Sequence, residues 1–93
     1  MPKFVIERTV PGAGQMDSGA LAAISAQSNG VLRELGPDIQ WVHSYVVDDK
    51  IFCLYQAVDA DVIREHGRCG GFPVDEVHEV HAVIDPSTAE LVP

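Results

Sequence analysis

Residues Gln40 to Ala57 read QWVHSYVVDDKIFCLYQA. Two runs rich in β-branched and aromatic residues flank a short polar segment, Asp48-Asp49-Lys50, which reads as a turn. The pattern predicts a β-hairpin of Gln40–Val47 and Ile51–Ala57. On the N-terminal side, Leu21, Ile24, Ser28, Val31, Leu32 and Leu35 recur at spacings of three, four and seven. That is one stripe on a helix from about Ser18 to Leu35. Asp17 or Ser18 can cap its start, and Gly36-Pro37 stops it. Before it, Lys3–Arg8 reads as a strand, ended by Pro11-Gly12-Ala13-Gly14. On the C-terminal side, Asp59 can cap a helix over Ala60–Cys69, which Gly70-Gly71-Phe72-Pro73 closes. Glu76–Ile84 then reads as a fourth strand, and Glu90-Leu91-Val92 as a short added edge strand. The order β-α-β-β-α-β in a single domain over residues 1–93 predicts an α+β, ferredoxin-like sandwich. Its four antiparallel strands would carry both helices on one face.

A sheet covered on one face should alternate apolar and polar residues. The hairpin does not: Val46-Val47 and Ile51-Phe52-Cys53-Leu54-Tyr55 are apolar on both faces. Regular alternation would set Trp41, His43, Tyr45 and Val47 on one face and Val42, Ser44 and Val46 on the other. Two helices cover one face, and a second copy related by a two-fold axis would cover the other. The expected state is a homodimer. The competing reading is a monomer whose tail folds over the sheet.

The chain has 93 residues, with 14 acidic and 6 basic side chains, four histidines and a net charge of -8. Such a surface is a poor match for nucleic acid or an anionic membrane, both of which need clustered Lys and Arg. No apolar run is long enough for a membrane span. The start MPKFVIERTV is charged again at Glu7, too soon for a signal peptide's apolar stretch. The expected location is the cytoplasm, with Cys53 and Cys69 as free thiols. No glycine-rich phosphate loop and no Cys-x-x-Cys pair occurs.

The candidate chemistry is carried by imidazoles and carboxylates. His78-Glu79-Val80-His81 is the densest group of potential ligands for first-row divalent metals. On a regular strand His78 and His81 face opposite ways, whereas Glu79 with His81, or Glu76 with His78, share a face. His43, between Trp41 and Tyr45, reads either as a packed interface residue or as a ligand facing a partner subunit. His66 and Cys69 share a helix face. They read either as a metal pair or as a packed helix end with His66 hydrogen-bonded to a neighbouring strand. Cys53 reads as a small core residue, with a Cys53–His66 thiolate pair as the reactive alternative. The expected metal-ligand set is His43, His66, His78, Glu79 and His81. The alternative is a small-molecule pocket, binding or catalytic, with Tyr45, Cys53, Tyr55, His43 and His66 as its polar contacts.

FVIERTVPGAG, IQWVHSYVVDDKIFCLYQA, REHGRCGGFP and VHAVIDP together resemble a family of small bacterial proteins, long filed as a domain of unknown function. Some of its members are named nickel-binding proteins. The resemblance spans Phe4 to about Pro86. It rests on Glu7-Arg8 before Pro11-Gly12, Trp41 before Ser44-Tyr45, Cys53 before Tyr55, and Arg64-Glu65-His66 before Gly71-Phe72-Pro73. It implies a dimeric ferredoxin-like fold, nickel at surface groups of the dimer, and a role in sequestration or homeostasis rather than catalysis. Of the matching positions, Cys53 and His66 are ordinary nickel ligands. His78 and His81 lie outside the recurring motif.

Overall fold

The computed structural model describes residues 1–91. Its elements are β1 (Lys3–Thr9), α1 (Ser18–Leu35), β2 (Ile39–Val46), β3 (Lys50–Ala57), α2 (Ala60–Gly70) and β4 (Glu76–Val80). Short 3-10 turns lie at Ala13–Gln15, Gly36–Asp38 and Pro86–Leu91. The strands form one antiparallel sheet in the order β2-β3-β1-β4. The two central strands are thus the first and third, the arrangement of the ferredoxin-like sandwich.

Local chemistry explains the boundaries. Asp17 caps α1 by accepting from the Ala20 N–H at 2.8 Å, and Asp59 caps α2 by accepting from the Val62 N–H at 3.0 Å. Both helices stop at a glycine with positive φ, Gly36 at 82° and Gly71 at 70°, where an L side chain would be strained. The Pro11–Gly14 segment does more than end β1. Val10 and Gly14 donate backbone N–H groups to Asp49 and Asp48 carbonyls, and the Gly12 N–H bonds the Asp49 carboxylate. A side chain at Gly14 would collide with the Val47 carbonyl, its Cβ only 2.7 Å away. The turn of the hairpin is therefore stitched to the end of β1.

Two expectations are corrected. The fourth strand ends at Val80, not Ile84. Val80 pairs with Lys3, and the next partner would be Pro2, which has no N–H and gives its carbonyl to Ala57 instead. The expected edge strand does not form over Glu90 and Leu91, which close the Pro86–Leu91 3-10 turn; Val92 lies outside the described residues.

A third correction concerns faces. The β2–β3 register shifts between Trp41 and His43, so Val42 is an extra bulged residue. Trp41, Ser44 and Val46 pair with Tyr55, Cys53 and Ile51, whose side chains are buried under the helices. His43 and Tyr45 pair with Leu54 and Phe52 on the opposite, open face. Trp41 therefore shares a face with Ser44, not with His43 and Tyr45.

The core lies between sheet and helices. Phe4, Ile6, Cys53, Tyr55, Ala57 and, from α2, Ile63 are among its buried residues. On the open face Val5, Phe52 and Leu54 form a half-buried apolar centre, beside Tyr45 at 62% exposure. No helix among the described residues is long and apolar enough to cross a membrane.

Candidate functional site

The expected ligands are distributed over four places. On the open face, β1 and β4 set Glu7 opposite Glu76 and Val5 opposite His78. The His78 Nε2 lies 2.9 Å from the Glu7 carboxylate, whose second oxygen is 3.5 Å from the Lys50 ammonium. The His78 contact first, and Lys50 with it, holds the Glu7 carboxyl below its usual range. Glu76 projects from the same face as His78, two residues before it.

Glu79 pairs across from the buried Phe4 and so faces the helix side, unlike His78. Beyond the strand end, the His81 Nδ1 is 3.6 Å from the Glu79 carboxylate, and both side chains are largely exposed. His43 lies on the open face of β2, packed edge-on to Tyr45 with ring centroids 5.0 Å apart. Two strands separate β2 from β4, so His43 and His78 of one chain stand roughly 14 Å apart, too far to share an ion.

His66 is fully buried on α2. Its Nε2 meets the Ser28 hydroxyl at 3.1 Å, its ring packs between Tyr55 and Phe72, and its Nδ1 has no partner among the described residues. Burial, and then the nearby Arg8 cation, lower its pKa to about 4, so it is neutral at pH 7. Cys69, expected beside it, is exposed; its thiol meets the Glu65 carboxylate at 3.3 Å, and that contact pushes its pKa up. Glu65 is held near pKa 2 chiefly by Arg68. Cys53 is buried under α1, and both cysteines are free thiols. Among the described residues, no three His, Cys, Asp or Glu side chains converge as a metal cage.

The structure also has a cleft where the alternative reading expected a pocket, and Cys53 and Tyr55 line it. His43 and Tyr45 lie on the opposite face of the sheet, and His66 is not among the lining residues. The sequence pattern did not name Arg8, Ser28 and Ser44 as its contacts. The cleft lies between α1 and the sheet and measures about 180 Å³. Leu21, Ile24 and Trp41 supply apolar wall, Ser28 and Ser44 supply hydroxyls, and Arg8 supplies a charge. Arg8 is only 4% exposed. Its guanidinium donates to the Pro73 carbonyl at 2.6 Å and to the Tyr55 hydroxyl at 3.2 Å, and sits over the Phe72 ring. Among the described residues it makes no ion pair. Asp75, an acid whose charge it helps to stabilise, is held mainly by Thr9, through its side chain and then its backbone N–H. Burial pushes Tyr55 up to about pKa 12, so its hydroxyl is neutral too. A visible hint was present in the sequence: Phe4, Ile6 and Arg8 alternate, which puts a charge in line with two core residues.

Residues 4–80 match the family described as nickel responsive protein SCO4226-like, and the chain belongs to that family. Its fold is similar to the crystal structure of SCO4226 from Streptomyces coelicolor A3(2), with a TM-score of 0.74 at 18% identity. The superposition covers 88% of this chain and 99% of that one. No curated protein matches the chain.

Proposed function

We propose that this member of a nickel-responsive family binds nickel or a similar divalent cation at the open sheet face, without catalysis, as a homodimer. The observation that carries the reading is the Glu7–His78 contact at 2.9 Å, with Glu76 in register across from Glu7. An imidazole beside carboxylates suits a borderline first-row cation, and a carboxyl held in its ionised form is ready to ligate. One chain offers too few donors for a closed cage, so solvent or a second copy supplies the rest.

A second copy fits the same face. His43, Leu54, Val5 and His78 occupy one row across the sheet, since each is the register partner of the next. Closing two open faces about a two-fold axis along the strands reverses the row. His43 of the partner subunit then lies over the Glu7–His78 pair, while the apolar centres Val5, Phe52 and Leu54 stack together. Two equivalent sites per dimer result. Glu79 with His81 forms a separate, weaker pair at the strand end.

Calorimetric titration of metal-free protein with nickel tests the reading. His78→Ala and Glu7→Gln should each weaken binding by roughly tenfold or more, and His43→Ala should weaken it only where the protein is dimeric. Binding should also weaken on acidification, because protons compete with a metal for its ligands. Absence of nickel heat with wild-type protein, or undiminished heat in the Glu7→Gln and His78→Ala variants, refutes the site. A light-scattering mass of one chain refutes the dimer.

A further inference from the structure

We infer that the cleft between α1 and the sheet is a binding site for a small monocarboxylate with an apolar body, whose carboxylate pairs with Arg8. The inference is independent of the metal reading, because the cleft lies on the helix side of the sheet and Glu7 and His78 lie on the other.

The charge is the first observation. A guanidinium has five N–H donors, and Arg8 gives two of its bonds to the Pro73 carbonyl and the Tyr55 hydroxyl. No carboxylate is among the residues lining the cleft. Its other polar neighbours are Tyr55 and His66, both neutral at pH 7, and the Cys53 thiol. Asp75 feels its charge but makes no ion pair with it. A buried cation is ordinarily paired. Here, in a chain of net charge -8, the pairing position is an accessible hollow.

The hydroxyls are the second. Ser44 Oγ accepts from the Trp41 indole N–H at 2.9 Å, which leaves its own proton to donate into the cleft. The unpartnered Nδ1 of His66 is better tolerated as a buried acceptor than as a buried donor, which places the imidazole proton on Nε2. Ser28 Oγ then accepts from His66, and its proton too remains to be donated. Arg8, Ser28 and Ser44 together present donors without matching acceptors. A small anion satisfies such a set more strongly than a neutral amide, and a cation does not satisfy it.

The walls and size select the body of the ligand. Leu21, Ile24, Trp41, Val46, Ile51 and Phe72 make most of the remaining wall apolar. A cavity of about 150 Å³ admits a benzene-sized ring, and this one measures about 180 Å³. That suits a short branched or aromatic carboxylate and wastes most of its walls on inorganic phosphate. A second hollow, which shares Arg8, Ile24, Ile51 and Phe72 with the first, has no serine on its wall, so the anion is assigned to the first.

Trp41 lines the cleft and is the only tryptophan, so its emission reports occupancy directly. Metal-free protein is titrated with benzoate, 4-methylvalerate, benzyl alcohol and inorganic phosphate. The carboxylates should give saturable changes in Trp41 emission, with benzyl alcohol and phosphate weaker by roughly tenfold or more. Arg8→Lys should weaken benzoate by roughly 10- to 100-fold, through loss of the forked donor geometry. Ser44→Ala, at a half-exposed position that leaves the core intact, should weaken it by a few-fold and keeps the test open if Arg8→Lys does not fold. Equal affinity for benzoate and benzyl alcohol, phosphate matching benzoate, or silence from both carboxylates at millimolar concentration overturns the assignment. So does unchanged benzoate affinity in Ser44→Ala together with a folded Arg8→Lys.

Discussion

His66 should make the fold acid-sensitive well above the carboxylate range. Its ring is fully buried between Tyr55 and Phe72, and burial with the Arg8 charge lowers its pKa from 6.5 to about 4. The unfolded chain therefore takes up a proton near pH 6.5 that the folded chain refuses until about pH 4. Stability is unaffected at high pH, falls as pH drops through 6.5, and levels off once the folded imidazole also protonates. One pKa unit is worth about 1.4 kcal/mol, so the full loss approaches about 3 kcal/mol. Between about pH 8 and pH 5 it amounts to about 2 kcal/mol, against a total near 5–14 kcal/mol for a domain of this length. Glu7, Glu65, Asp75 and Asp85 have lowered folded pKa values, so their contributions are lost only at still lower pH. Urea unfolding across this range, on wild type and His66→Gln, isolates the effect. The glutamine keeps an N–H for Ser28 and cannot titrate, so the difference between the two proteins should change by about 2 kcal/mol. The His66 imidazole, followed by NMR through its ring C–H signals, should stay neutral down to about pH 5. A difference independent of pH, or a ring that titrates near 6.5, refutes the reasoning.

Other expectations concern packing and accessibility. Ile63→Ala removes a fully buried side chain that anchors α2 to the sheet, and should cost about 2–5 kcal/mol in chemical denaturation. Gly70→Ala drives a methyl into the Phe72 ring, and should destabilise by about 1–3 kcal/mol while shifting Trp41 emission through the cleft wall. Asp17→Ala removes the cap of α1 and should cost about 1 kcal/mol, read from the urea midpoint. Ellman's reagent should label Cys69 alone in the native protein and both thiols in denaturant; rapid labelling of both would contradict the burial of Cys53.

Much of this fold is legible in a linear reading because its determinants are local. The stripe from Leu21 to Leu35, the caps Asp17 and Asp59, and the stops at Gly36 and Gly71 each act within a few residues. The end of β4 was not legible, since it depends on Pro2, far away in sequence, failing to extend β1. The bulge at Val42 was hidden for a different reason. Where both faces of a strand are apolar, slipping by one residue exchanges like for like, and the pattern carries no trace of it.

The consequences of that single extra residue divide what sequence and structure each decided. Composition, periodicity and punctuation sufficed for an acidic chain with the element order β-α-β-β-α-β, and for a hairpin apolar on two sides. They also identified the residue types able to hold a divalent cation. Only the folded chain decided which of those types meet. Glu7 and His78 are 71 positions apart and join through a strand pairing. Trp41 and Ser44 turn under α1 because of the bulge, while His43 and Tyr45 remain on the open face. Arg8 becomes a buried charge with no ion pair among the described residues, because β1 continues its inward phase beneath both helices. Secondary structure follows from neighbours in the chain. A site depends on strand order and register, which no local pattern encodes.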